Sequence, residues 1–449
     1  MNILFLLPQI DSELYVHHGV SILSAVLKSH GHATEVEEFR ELNQIGQFLS
    51  HIERFQPDIL AVSAVSQQIN YLSRILKPVK YKYPTLGILL GGTHAILCPQ
   101  KTMEDIPEID WLCDSEGEGP IKYIMEEGVE VLDWFWYRDG YGGIHPPSKR
   151  FYATEEYLTN LPFEDRELFP KWKQSRGKKL SDFGLKARFW IGRGCPYSCT
   201  YCCCPSLRAA FPDKKYVRYS SPERAIAEIE DVVKNWKFDT YIIDDDVFTV
   251  NKKWLLDWTV KYPNKLKYLK YECNTRFECI DEEILRALKD TGCSLIKFGL
   301  ESGSEQIRKG LNRNITNEKI QDVFALVKKH GIQAHTFNII GFPNETRRDL
   351  WKTIRLNQKI KPDRCQVSIF YPYPGTKLGE ASKHLIIKQS GNYFTQSVLK
   401  LPHFTGQEIK VYAKLFRLAV YSAYNYKLAW KEVMGLFNYL KSKWSNICH

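Results

Sequence analysis

The chain is predicted to fold as two α/β units in series, a doubly wound N-terminal domain and then a partial (β/α)6 barrel, followed by a helical C-terminal cap. Three observations predict this. Short apolar runs alternate with helix-length stretches, the pattern of parallel sheets with crossover helices. That rhythm breaks around residues 133–184, where Tyr, Trp, Gly and Pro mix with charge. The tail is helically periodic, aromatic and basic. A chain of 449 residues exceeds one ordinary domain. The expected division is residues 1–132 for the first domain, 133–184 for a linker, 185–382 for the barrel and 383–449 for the cap.

Residues 2–7 are apolar, without a basic flank or cleavage-site pattern, and too short to span a membrane. They read as a first buried strand, and the protein as cytoplasmic. A helix over 19–29 ends at Gly31, and strands over 33–39, 58–63, 86–90 and 111–114 follow. The last two run into Gly91-Gly92-Thr93-His94 and Ser115-Glu116-Gly117-Glu118. Doubly wound domains bind ligands at such strand ends. The linker carries a short hairpin around residues 137–141.

In the barrel, six strands are expected over 188–191, 241–243, 269–273, 295–300, 334–340 and 366–370. Ser221 caps a helix that has Pro222 in its first turn. Other helices run over 281–290 and 316–330, the latter stopping at Gly331. The strand ends are polar: Asp244-Asp245-Asp246, Asn274-Thr275-Arg276, Glu301-Ser302-Gly303-Ser304 and Gly341. Each alone reads as turn chemistry. In order along a barrel they read as a site, because barrels place their chemistry at these ends.

Cys195, Cys199 and Cys202 follow the first barrel strand with Cys-x3-Cys-x2-Cys spacing. An iron–sulfur cube has four irons that each take a thiolate. Three local cysteines leave one iron open, and an open position is what lets a metal centre do chemistry. A zinc knuckle would need a second Cys or His pair, which the spacing does not offer. A disulfide fits poorly with a cytosolic chain. Cys203 and Cys204 follow directly, and three consecutive residues do not easily reach one cube.

This motif, with the aromatic Tyr201 before its last cysteine, resembles the radical S-adenosylmethionine (SAM) superfamily. The resemblance covers roughly residues 186–380 and implies a [4Fe-4S] cluster on Cys195, Cys199 and Cys202. It also implies SAM bound on the open iron and cleaved to a 5′-deoxyadenosyl radical. Carried over residue by residue, Asp244, Asp245 and Asp246 would meet the SAM amino group, and Glu301 with Ser302 the ribose hydroxyls. Asn274 and Arg276 would meet the carboxylate or ribose, and Tyr201 and Gly341 would flank adenine. The first domain is similar to the Rossmann-like cobalamin-binding domain of one branch of that superfamily. Ser63, Ser66, Gly91, Gly92, Thr93, His94 and Gly117 would then contact cobalamin. The Asp-x-His-x-x-Gly element that ligates cobalt in other cobalamin enzymes is absent, as is usual in this branch. The alternative is an adaptor domain that shapes the active site.

The implied function is cobalamin-dependent methylation of an unactivated carbon in a small molecule or lipid. Cyclisation, rearrangement or oxidation in lipid, pigment or natural-product biosynthesis is the alternative. A non-catalytic metal-binding or cobalamin-carrier protein is the reading from another class. A methylthiotransferase would need more cysteines than Cys98 and Cys113 in the first domain. Implied partners are the substrate and a reductant such as a flavodoxin or ferredoxin. A net charge of +10 is modest for this length and no like-charge run occurs, so no nucleic-acid partner is expected. The tail's Tyr412, Leu415, Phe416, Ala419 and Ala423 recur at helical spacing among lysines. It reads first as a helix docked on its own enzyme, and second as a peripheral membrane contact.

Overall fold

The computed structural model describes residues 1–9, 17–126, 130–388 and 392–445. Its first sheet has the order β2-β1-β3-β4-β5-β6-β7. These strands are β1 (Asn2–Pro8), β2 (Ala33–Phe39), β3 (Ile59–Ser63), β4 (Gly87–Gly91), β5 (Trp111–Leu112), β6 (Trp136–Arg138) and β7 (Ile144–His145). β1 to β5 are parallel. The residues Ile3 to Leu7 are essentially inaccessible, as expected of a parallel strand covered on both faces. Strand order reverses between β1 and β3, and open α/β sheets bind ligands at that point. β6 and β7 form the hairpin expected in the linker, but it joins the sheet, antiparallel to β5. The Asp139 carboxylate shapes its turn by accepting the Tyr141 and Gly143 amides at 2.9 and 2.7 Å.

The second unit comprises β8 (Ala187–Phe189), β9 (Gly192–Arg193), β10 (Arg218–Tyr219), β11 (Thr240–Ile243), β12 (Lys270–Thr275), β13 (Cys293–Glu301), β14 (Gln333–Ile340) and β15 (Arg364–Ile369). Six of them form an all-parallel sheet in the order β15-β14-β13-β12-β11-β8. β9 and β10 make a small antiparallel pair at its mouth. The sheet is an open barrel with β8 and β15 at its edges. Its floor is aromatic, with Tyr241 stacked on Tyr271 and Phe248 edge-on to Trp258.

The helix Gly406–Tyr421 covers the β15 edge with Ile409, Ala413, Phe416 and Val420. Tyr421 Oη accepts the Cys365 amide at 2.8 Å, filling a donor position an edge strand leaves open. The tail is two helices rather than one continuous pattern. The chain turns after Tyr421, and Asn425 Oδ1 caps the helix Tyr426–Ser445 by accepting the Leu428 amide at 3.1 Å. Among the described residues no helix is long and apolar enough to cross a membrane.

Candidate active site

The cysteine loop leaves β9 through Gly194, whose φ of +89° and closeness to the Tyr216 carbonyl leave no room for a side chain. Cys195 and Cys199 are buried and Cys202 is half-buried. Burial pushes the Cys195 thiol up to about 12, so a metal must displace its proton to bind there. Arg276 Nη1 donates to Cys199 Sγ at 3.0 Å, and Arg313 Nη1 lies 3.9 Å from it. Hydrogen bonds of this kind tune an iron–sulfur cluster through its sulfurs.

The Cys202, Cys203 and Cys204 sulfurs lie within 4.8 Å of one another. The short helix Cys204–Ala209 starts here, with Cys203 already in right-handed conformation. This convergence differs from the divergence expected for consecutive residues. Cys203 and Cys204 line a cavity toward the first domain.

The acidic strand end of β11 divides three ways. Asp244 is held by Arg188 Nε at 2.5 Å and His18 Nε2 at 2.9 Å. Asp245 is buried and accepts the Ile191 and Gly192 amides at 2.8 and 2.9 Å. Asp246 lines the cavity, with the Cys204 thiol 3.6 Å away, and burial raises its carboxyl to about 6. Asn274 donates to the Asp245 carbonyl at 3.1 Å. Arg276 also grips Glu278 at 2.7 Å. Glu301 ends β13 at φ +62°, unusual for a buried non-glycine residue and frequent at functional sites. Its carboxylate lies 3.6 Å from Arg313 Nη1, which also donates to Tyr201 Oη at 3.4 Å. Ser302 is fully buried and accepts the Ser304 amide. Gly341, at φ +78°, donates its amide to Glu345 Oε2 at 2.5 Å. Burial raises the Glu345 carboxyl to about 8.

A cavity of about 400 Å³ lies between the two units. Ser63, Gly91, Gly92, Thr93 and Gly117 line it from the first domain. Trp190, Arg193, Tyr216 and Asp246 line it from the barrel. Ser66 and His94 hydrogen-bond each other at 2.9 Å and are not among the lining residues. Gly92 sits at φ +97°, where an added Cβ would stand 2.6 Å from the Ala64 carbonyl oxygen. Gly91 has open space at the same position. His17 also lines the cavity. Its Nδ1 accepts the Val20 amide at 3.3 Å, which puts the ring proton on Nε2, and burial keeps the ring neutral by lowering it to about 4.

Charge pairs pin the two units around this cavity. Arg193 meets Glu118, and Arg218 meets Glu116 at 2.8 Å. His18 bridges Glu164 at 2.7 Å and Asp244 at 2.9 Å. Burial opposes a charge on His18, but Glu164 and then Asp244 outweigh it and hold the imidazole up to about 9. Strand-end reasoning missed His17, His18, Arg193, Arg218 and Arg313. Arg313 follows a short helix rather than a strand, and the others show their role only once the two sheets face each other.

Residues 191–356 match the family model of the radical SAM superfamily, and residues 13–124 match that of the B12 binding domain. The chain therefore carries a B12-binding domain followed by a radical SAM domain. It is 27% identical over 441 residues to an uncharacterized methyltransferase of Pyrococcus horikoshii, covering 94% of this chain and 92% of that one. Over 372 residues it is 24% identical to an anaerobic magnesium-protoporphyrin IX monomethyl ester cyclase of Rubrivivax gelatinosus, covering 80% of this chain and 65% of the relative. The fold is shared with TsrM of Kitasatospora setae, a radical SAM methyltransferase solved with cobalamin and a [4Fe-4S] cluster bound. That match has a TM-score of 0.68 at 13% identity, over 91% of this chain and 84% of that one.

A radical SAM domain takes a [4Fe-4S] cluster and SAM, and a B12-binding domain takes cobalamin; the residues present fit these groups. The cysteine loop offers thiols with two guanidinium groups against one sulfur, suited to an anionic cluster. The barrel end offers a carboxyl that faces the cavity and further acceptors behind it. The first domain offers a glycine rim, open at Gly91, over an apolar wall that includes Val20, Leu23, Leu89 and Phe135.

Proposed function

We propose that this enzyme methylates an unactivated carbon of a small molecule or lipid, using SAM and cobalamin. The observation that carries the reading is one cavity lined by the B12-type glycine rim, by Asp246 and by Cys203 and Cys204, which directly follow the three-cysteine motif. When bound, the cluster supplies the electron that cleaves SAM, and cobalamin carries the methyl group. Cys195, Cys199 and Cys202 would hold the cluster. Asp246, which faces the cavity, would take the SAM ammonium, whose positive charge favours the carboxylate form. Glu301 would accept the ribose hydroxyls, Asn274 and Arg276 would contact the polar end of SAM, and Tyr201 and Gly341 would flank adenine. Asp244, Asp245 and Ser302 are already engaged and would support that shell from behind. Ser63, Gly91, Gly92, Thr93 and Gly117 would receive the corrin, with His17 Nε2 positioning the Ser63 hydroxyl at 3.4 Å; Ser66 and His94 would brace the rim. Trp190, Phe211 and Tyr216 would keep water out, which protects a radical from side reactions.

The electron donor would be a small reductant such as a flavodoxin or ferredoxin, in keeping with a reducing cytoplasmic setting. A second reading, radical cyclisation or oxidation without methyl transfer, is favoured by the likeness to the cyclase. The test is anaerobic incubation with CD3-labelled SAM, reductant and a low-molecular-weight cell extract, followed by mass spectrometry. A product carrying the intact CD3 group supports methylation. SAM cleavage with products that gain no label favours the second reading.

A further inference from the structure

The helix Tyr426–Ser445 packs on its predecessor through Leu428 and Ala429, and Glu432 pairs with Arg417 at 2.9 Å. The face turned away from the core carries Tyr426, Trp430, Val433, Met434 and Phe437. Steps of about three and four residues put them on one stripe. Tyr426, Trp430 and Phe437 are 77, 64 and 60% exposed. The preceding helix adds the exposed pair Val411 and Leu415. Scattered exposed apolar residues need no explanation, but a continuous stripe marks an interaction surface.

Charge identifies the occupant. Residues 405–445 contain seven Lys and Arg against two Glu. Both glutamates are already paired, Glu408 with Arg347 and Glu432 with Arg417. Lys427 and Lys431 run along the edge of the aromatic stripe. A second copy docked face to face would set lysine against lysine with no carboxylate to meet them. Tyr and Trp sit well at the headgroup level of a bilayer, and lysines reach past them to phosphate.

We propose that this face docks the enzyme on an anionic lipid surface. The inference is independent of the reaction catalysed.

The test is flotation of the full chain, purified anaerobically, with vesicles of phosphatidylcholine mixed with phosphatidylglycerol and with vesicles of phosphatidylcholine alone. The protein should float with the mixed vesicles and be released by high salt. The double variant Trp430→Ser/Phe437→Ser should lose about ten-fold or more in partition. Lys427→Glu/Lys431→Glu should lose at least as much, since one lysine near an anionic surface is worth about five-fold. These side chains are exposed, so thermal unfolding and 5′-deoxyadenosine formation should match the parent in both variants. Failure of the parent to float overturns the proposal, as does equal flotation of all three proteins. Self-association that Trp430→Ser/Phe437→Ser abolishes, without vesicle binding, assigns the face to a second copy instead.

Discussion

His18 joins three parts of the chain: the first helix of the B12-type domain, Glu164 of the linker and Asp244 of the barrel. Its imidazole moves from an ordinary 6.5 to about 9 in the folded protein. The folded value lies above the unfolded one, so the charge stabilises fully below pH 6.5 and the contribution is lost as pH rises through about 9. A shift of that size corresponds to roughly 3 kcal/mol. The side chain is only 15% exposed, so screening takes little from it. His18→Gln keeps a polar group of similar reach but cannot carry the charge. Asp244 retains Arg188, and Glu164 retains Arg166 at 3.3 Å, so the fold survives the change. At pH 6.5 the variant should unfold roughly 6–12 °C below the parent, taking about 2–4 °C per kcal/mol for domains of this size. At pH 10 the two proteins should unfold within about 2 °C of each other. Thermal scans of both proteins across this range measure the difference directly. A gap that stays constant from pH 6.5 to 10 would refute a charged His18 clamp.

Three further substitutions read the two cofactor sites separately. Gly92→Ala forces a Cβ against the Ala64 carbonyl in a glycine-only conformation, at about 1–3 kcal/mol; it should lower cobalamin retention while leaving iron content unchanged, and Gly91→Ala, with open space at its Cβ, should match the parent in stability. Unaltered cobalamin retention in Gly92→Ala would separate that rim from the corrin. Arg276→Gln removes a cationic donor from Cys199, so the cluster potential should fall by on the order of 50 mV, a tenfold change in a one-electron couple being about 59 mV. An EPR-monitored redox titration that finds an unchanged or higher potential would contradict that role.

Much of this architecture was legible because parallel strands are local and apolar. Every strand expected in both sheets lies within a few residues of its observed position, and the Ser221 cap is present, with its hydroxyl accepting the Arg224 amide at 3.2 Å. Helix breaks were less legible, since the tail's period runs through residues 422–425 and only the Asn425 cap marks the interruption. Strand-end position brought Asp246, Glu301 and Arg276 to notice, but it could not divide labour among three adjacent aspartates. That division depends on Arg188, His18 and two backbone amides arriving from other elements. Arg313 and the charge pairs around the cavity are long-range facts, set by how two domains face each other rather than by any local spacing.

The enzyme is expected to hold an iron–sulfur cluster with an open iron and a cobalamin at the same time. The most direct measurement uses protein purified anaerobically, reconstituted with iron and sulfide, supplied with hydroxocobalamin and then freed of unbound cofactor. Its absorption spectrum is recorded, and dithionite and SAM are added to assay 5′-deoxyadenosine. A brown protein that keeps the cobalamin bands and forms 5′-deoxyadenosine is the expected result, with both the cluster and that product lost in Cys199→Ala. A folded protein that takes up no iron–sulfur cluster, or a brown and active one that retains no cobalamin, would contradict the account.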